Sequence, residues 1–168
     1  MTEEFPDTVA RAFEDADAFE RAADGYEITT SAFGGTVTVT ETDEEWTHTY
    51  SLTVEVPDLD NATTDHVAEV VVTDWVETLE RRLEDAPKST RASVELTAFD
   101  IEHDQQTVTI DYEFEWGNPE RAVDIAKTFA EFVEGTYVEG IIPGYEYDSP
   151  VSELLSSASQ SGESGTPL

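Results

Sequence analysis

"TVTIDYEFEW", residues 107–116, decides the fold class: Val108, Ile110, Tyr112, Phe114 and Trp116 alternate without a break against Thr109, Asp111, Glu113 and Glu115. A side-chain period of two is that of an extended strand with one packed face and one wet face. The same pattern stands upstream, where Trp46, His48, Tyr50, Leu52, Val54 and Val56 share one parity and Glu45, Thr47, Thr49, Ser51, Thr53 and Glu55 share the other. Strands that alternate in this way belong to an antiparallel sheet covered on one side.

The segments around these two strands supply the cover. Phe5, Val9, Phe13 and Ala16 recur at helical spacing with Phe19 on the flank, which predicts a first helix opening at Pro6 and stopping at Gly25. "YEITTSAF" and "TVTVTET" read as strands on either side of Gly34-Gly35. Beyond Pro57, capping residues between Asn61 and Thr64 predict one long helix to about Asp85, stopped by Pro87. Its stripe is Val72, Trp75, Val76, Leu79 and Leu83; Val67, Val70 and Val71 fall off that stripe and require a cover of their own, from another element or from a second copy. Ala92, Val94, Leu96 and Ala98 alternate, but Phe99 and Ile101 have the opposite parity, which predicts a bulge before the "EHDQQ" turn. Asn118 as N-cap and Pro119 at the first helical position open a last helix with Ala122, Ile125, Ala126, Phe129, Phe132 and Val133 on its apolar face and Gly135 as its stop.

The predicted order is therefore α-β-β-β-α-β-β-α, an α+β fold in which helices pack on one face of an antiparallel sheet. One domain spans residues 1–150, followed by a flexible Ser/Gly-rich tail over 151–168. With 168 residues, 38% of them hydrophobic, the chain can bury a core of its own, and with no cysteine it does so without disulfides.

Charge is the dominant compositional feature: 39 acidic residues stand against eight basic ones. Residues 1–84 hold 22 acidic and four basic residues, and residues 85–168 hold 17 and four, so the acidity coats the whole fold. Such a surface repels itself in dilute buffer, whereas at molar salt the Debye length falls to about 3 Å and the repulsion is screened. The composition reads as that of a halophile's protein. Nucleic-acid binding is not expected, because the basic residues form only the close pairs Arg81-Arg82 and Lys88 with Arg91. The N-terminal stretch lacks the basic and apolar regions of a signal peptide, and no run approaches the ~20 apolar residues of a membrane span, so a cytoplasmic location is expected.

Catalytic signatures are missing: no phosphate-cradling, dinucleotide or nucleophile-elbow motif occurs. His48, His66 and His103 are scattered, and no metal or cofactor is implied. "DLDNATTDHVAE" puts Asp58, Asp60 and Glu69 at ligand positions of a calcium loop, but Ala62 and Thr63 break that pattern and capping explains the segment better. The stretch that calls for explanation is "GIIPGYEY", where Ile141, Ile142, Pro143, Tyr145 and Tyr147 follow one another after the last helix. Such a segment either closes the core or rims a groove or dimer seam.

The element order over residues 5–135 resembles that of type III secretion chaperones and YbjN-like proteins, small acidic α+β dimers that bind other polypeptides. This resemblance implies dimerisation and peptide or protein binding on an exposed face, and it carries over no particular residue. By composition and by "GIIPGYEY" the chain also resembles a haloarchaeal family of unknown function. The expectation is a non-catalytic, chaperone-like binding module, homodimeric, with an unknown protein or peptide as partner. Its candidate surface is Ile141, Ile142, Pro143, Tyr145 and Tyr147 together with Val67, Val70 and Val71. The alternative is a small-ligand or enzymatic domain with an aromatic pocket between sheet and helices, lined by Trp46, Tyr50, Tyr112, Trp116 and Tyr145.

Overall fold

Residues 7–23, 25–44 and 46–157 are described by a computed structural model of the protein. In chain order the elements are α1 (Asp7–Asp15), β1 (Phe19–Arg21), β2 (Tyr26–Ile28), β3 (Thr36–Glu41), β4 (His48–Pro57), α2 (Leu59–Ala62), α3 (Glu69–Leu83), a 3-10 turn (Ala86–Ser89), β5 (Leu96–Asp104), β6 (Thr107–Trp116) and α4 (Pro119–Glu139). One antiparallel sheet runs in the order β1-β2-β3-β4-β6-β5. At its centre β4 and β6 pair over their whole length, with Tyr50 opposite Phe114, Leu52 opposite Tyr112 and Val54 opposite Ile110. These six side chains are buried, whereas Thr53, Glu55, Asp111 and Glu115 lie on the wetter face. The α+β class and the one-sided cover follow from that alternation.

Helix α4 is the central cover, and α1, α3, the 3-10 turn and β4 all pack against it. Its Ala122, Ile125, Ala126, Phe129 and Val133 are buried, and Phe129 meets both Tyr112 and Phe114 with ring centroids 5.3 and 5.5 Å apart. The Asn118 cap forms as expected, its side-chain oxygen accepting from the Arg121 N–H at 3.1 Å. The helix does not stop at Gly135. It continues to Glu139 because Thr136 and Tyr137 are buried in the core, and that burial outweighs the roughly 1 kcal/mol cost of a helical glycine.

Several boundaries differ from the sequence reading. Helix α1 ends at Asp15, and the chain reverses so that Phe19 enters β1. The reversal brings three rings together, with Phe13 stacked on Tyr26 at 4.3 Å and edge-on to Phe19 at 5.1 Å. Gly25 accordingly belongs to the β1–β2 turn, not to a helix end, and only Tyr26–Ile28 of "YEITTSAF" is a strand. The sheet thus has six strands where five were expected. The long helix predicted to start near Asn61 is broken into α2, capped by Asp58, and α3, with Asp60 taking the Val67 N–H that a continuous helix would bond to the carbonyl four residues back. In β5 the register shifts between Leu96 and Ala98, close to where the parity change predicted a bulge. Residues 151–157 are helical and Val151 is buried. The expected helix start at Phe5 and Pro6, and residues 158–168 of the expected tail, lie outside the described residues.

Candidate functional site

Pro57 ends β4, and Asp58 turns the chain away from the sheet. Its Oδ1 accepts from the Asn61 N–H at 2.8 Å and caps α2, while its Oδ2 lies 2.9 Å from His103 Nε2 on β5. Asp60 Oδ1 accepts from the Val67 N–H at 2.8 Å, and this bond, above all, holds its carboxyl below the usual carboxylate range. Two of the three acids of the calcium-loop spacing, Asp58 and Asp60, are therefore bound to backbone and to neighbouring side chains, while Glu69 lies exposed at the start of α3. Among the described residues no group of three or more His, Asp or Glu is placed to hold a metal ion.

After Gly140 the chain folds back as a strap across the link between α2 and α3. The Asp148 N–H donates to Ala62 O at 2.8 Å, the Thr64 N–H donates to Glu146 O at 2.9 Å, and the Glu146 N–H donates to Asp65 Oδ2 at 3.1 Å. Within the strap the Tyr147 hydroxyl donates to Ile142 O, and from the end of α4 the Tyr137 hydroxyl donates to Pro57 O at 2.9 Å. Ile141, Ile142, Tyr145 and Tyr147 are half-buried against the core, while Pro143 and Gly144 form the exposed turn.

Pinned there, the strap forms one wall of a groove whose other wall is α3. Val70, Val71, Asp74, Trp75, Thr78, Gly140 and Ile142 line it, and its volume is about 450 Å³. Val70 is 74% exposed at its mouth. Trp75 is buried, edge-on to Tyr137 at 5.4 Å, and its indole Nε1, next to Gly140, has no hydrogen-bond partner among the described residues. The structure thus brings Val70, Val71 and Ile142 together from the two candidate segments. Val67 is not on this surface; it precedes α3 and is buried. Trp75 was read only as part of the sheet-facing stripe, although its position four residues after Val71 places it on the same helix side.

The aromatic pocket does not form as expected. Tyr50 and Tyr112 are core residues, fully buried, Tyr50 stacked on Phe114 at 5.5 Å and Tyr112 donating its hydroxyl to Leu83 O at 2.7 Å. Burial pushes the Tyr50 phenol up to about 12 and those of Tyr112 and Tyr137 higher still. Trp46 and Trp116 instead line a separate cleft at one end of the sheet, and Tyr145 lies in the strap at the other end of α4.

The sequence model of a group described as "Family of unknown function (DUF5813)" matches residues 14–157. The chain belongs to that family. The DUF5813 match runs from α1 past the strap, so it takes in both walls of the groove and the tryptophan cleft. No curated protein and no solved structure matches the chain. Among the described residues no helix is long and apolar enough to cross a membrane.

Proposed function

We propose that the protein is a non-catalytic binding module, chaperone-like in character, whose groove between α3 and the strap takes an apolar anchor of a partner polypeptide. The observation that carries this reading is Val70: a valine left 74% exposed at the mouth of a groove whose walls include Val71, Trp75 and Ile142. An apolar side chain entering there takes apolar surface of both partners out of water, which is the usual origin of an interface hot spot. Asp74 in the groove and the net charge of −31 favour a partner whose anchor is flanked by lysine or arginine. A brine-adapted cytoplasm is the setting that the acidic coat suits.

A labelled peptide with a central Leu-Phe pair and lysine flanks, titrated in molar KCl, tests the reading. Saturable binding is expected, and Val70→Asp is expected to weaken it by roughly tenfold or more, because the new carboxylate would be desolvated on binding. Equal affinity of the two proteins would overturn it. Light scattering in the same buffer addresses the competing occupant, a second copy of the chain: a dimer that Val70→Asp converts to monomer would assign the groove to self-association.

A further inference from the structure

At the opposite end of α4, roughly 30 Å away by the 1.5 Å rise of a helix, lies the second recess. Thr42, Asp43, Glu44, Trp46, Thr47, Glu115, Trp116 and Gly117 line a cleft of about 600 Å³ between the β3–β4 connection and the end of β6. Trp46 is 69% exposed, in a fold whose phenylalanines at 13, 19, 114 and 129 are all buried. Its ring is nevertheless seated. A Cβ at Gly117 would stand 3.2 Å from Trp46 Cε3 and 3.5 Å from Cζ3, so the bare backbone at 117 is what lets the indole lie there. The connection that carries the ring is braced as well: Thr42 Oγ1 lies 2.9 Å from both Glu44 O and Thr47 O and accepts from the Glu44 N–H at 3.1 Å.

Among the described residues the lining contains two indoles, three carboxylates and no basic residue. Among the described residues Asp43, Glu44 and Glu115 take part in no ion pair, and Thr47 Oγ1 is buried without a hydrogen-bond partner. We propose that this cleft binds an organic ammonium cation of the quaternary or methylated class, held on the Trp46 and Trp116 faces with the carboxylates supplying the counter-charge. The ring face of tryptophan attracts cations that shed water easily, which a methylated ammonium does and a small inorganic ion does not. No group of three or more acidic or histidine ligands is placed for a metal among the described residues, and the volume exceeds that of a bare ion. An anion is opposed by all three carboxylates.

The test is a titration in molar KCl followed by the indole N–H signals of the three tryptophans, with three probes: choline, its uncharged carbon isostere 3,3-dimethylbutanol, and a trimethyl-lysine peptide. Saturable shifts at Trp46 and Trp116 but not at Trp75 are expected with choline, with affinity roughly tenfold or more above that of the isostere. Tighter binding of the peptide than of choline would place the cation on a polypeptide, and the reverse would make it a free small molecule. Trp46→Leu is expected to abolish binding while leaving the melting temperature unchanged, since the ring is mostly exposed, and Gly117→Ala to weaken it by displacing the ring. Equal affinity for choline and the isostere, no saturation at millimolar choline, or unaltered binding by Trp46→Leu would each overturn the proposal.

Discussion

Of the four buried tyrosines, Tyr50, Tyr112 and Tyr137 contribute similar bulk to the core and differ in what their hydroxyls meet. Tyr112 donates to Leu83 O and Tyr137 to Pro57 O, whereas Tyr50, fully buried, has no partner for its hydroxyl among the described residues. Tyr112→Phe and Tyr137→Phe should therefore each cost about 1 kcal/mol, while Tyr50→Phe should stabilise by about 1 kcal/mol, because it removes a desolvated polar atom and leaves no orphan acceptor. Denaturant titration in molar KCl distinguishes the signs. The same residues set the alkaline limit. An unfolded phenol ionises near pH ~10, while burial holds the Tyr50 proton in the folded state up to about 12. The folded state thus binds the proton more tightly. Its contribution is complete below pH ~10 and is lost as pH rises from about 10 through about 12. Melting temperature in molar salt should fall across that window, and less steeply in Tyr50→Phe.

Among the elements, the β1–β2 hairpin is the most sharply constrained. A Cβ at Gly25 would stand 2.1 Å from the carbonyl oxygen of Val37 on β3, closer than any side chain tolerates. Gly25→Ala should move β2 off β3 and cost about 1–3 kcal/mol, with loss of amide-exchange protection concentrated in residues 19–28. That glycine was legible only as punctuation, and it was read as the end of a helix. Three-residue strands such as β1 and β2 carry too little periodicity to announce themselves, and Phe19 joins its hairpin through ring contacts with Phe13 that no spacing encodes. By contrast β4 and β6 were plain in the sequence, because every second residue from Tyr50 to Val56 and from Val108 to Phe114 is buried, and only His48 and Trp116 at one end of the pair are partly open. For the groove, the misfit of Val70 and Val71 with the helix stripe and the apolar run containing Ile142 marked both walls. Their meeting depends on backbone bonds between residues 62–65 and 146–148, which are separated by some eighty positions and leave no local trace. The aromatic set failed as a single pocket for a related reason: Trp46 shares the parity of Tyr50 but precedes β4, so its ring is free to turn out of the core.

For the molecule as a whole, the balance between burial and self-repulsion is set by the medium. The described ion pairs are few, the lysines serving only Asp85 and Glu131, so most carboxylates have no counter-charge from the chain. Raising KCl from about 0.1 M towards saturation should raise the melting temperature continuously, and most steeply below about 1 M, where the Debye length shortens from about 10 to 3 Å. Sucrose of equal osmotic strength should reproduce only part of the gain. A melting temperature flat in KCl would show that the coat carries little repulsion.

The clasp between residues 62–65 and 146–148 also orders events at the ribosome. Synthesis delivers α3 long before its facing wall, so the groove has only one side on a nascent chain until translation has passed Asp148. Until then α3 stands without its second wall, and any premature hydrophobic encounter has to be held off by the carboxylates alone.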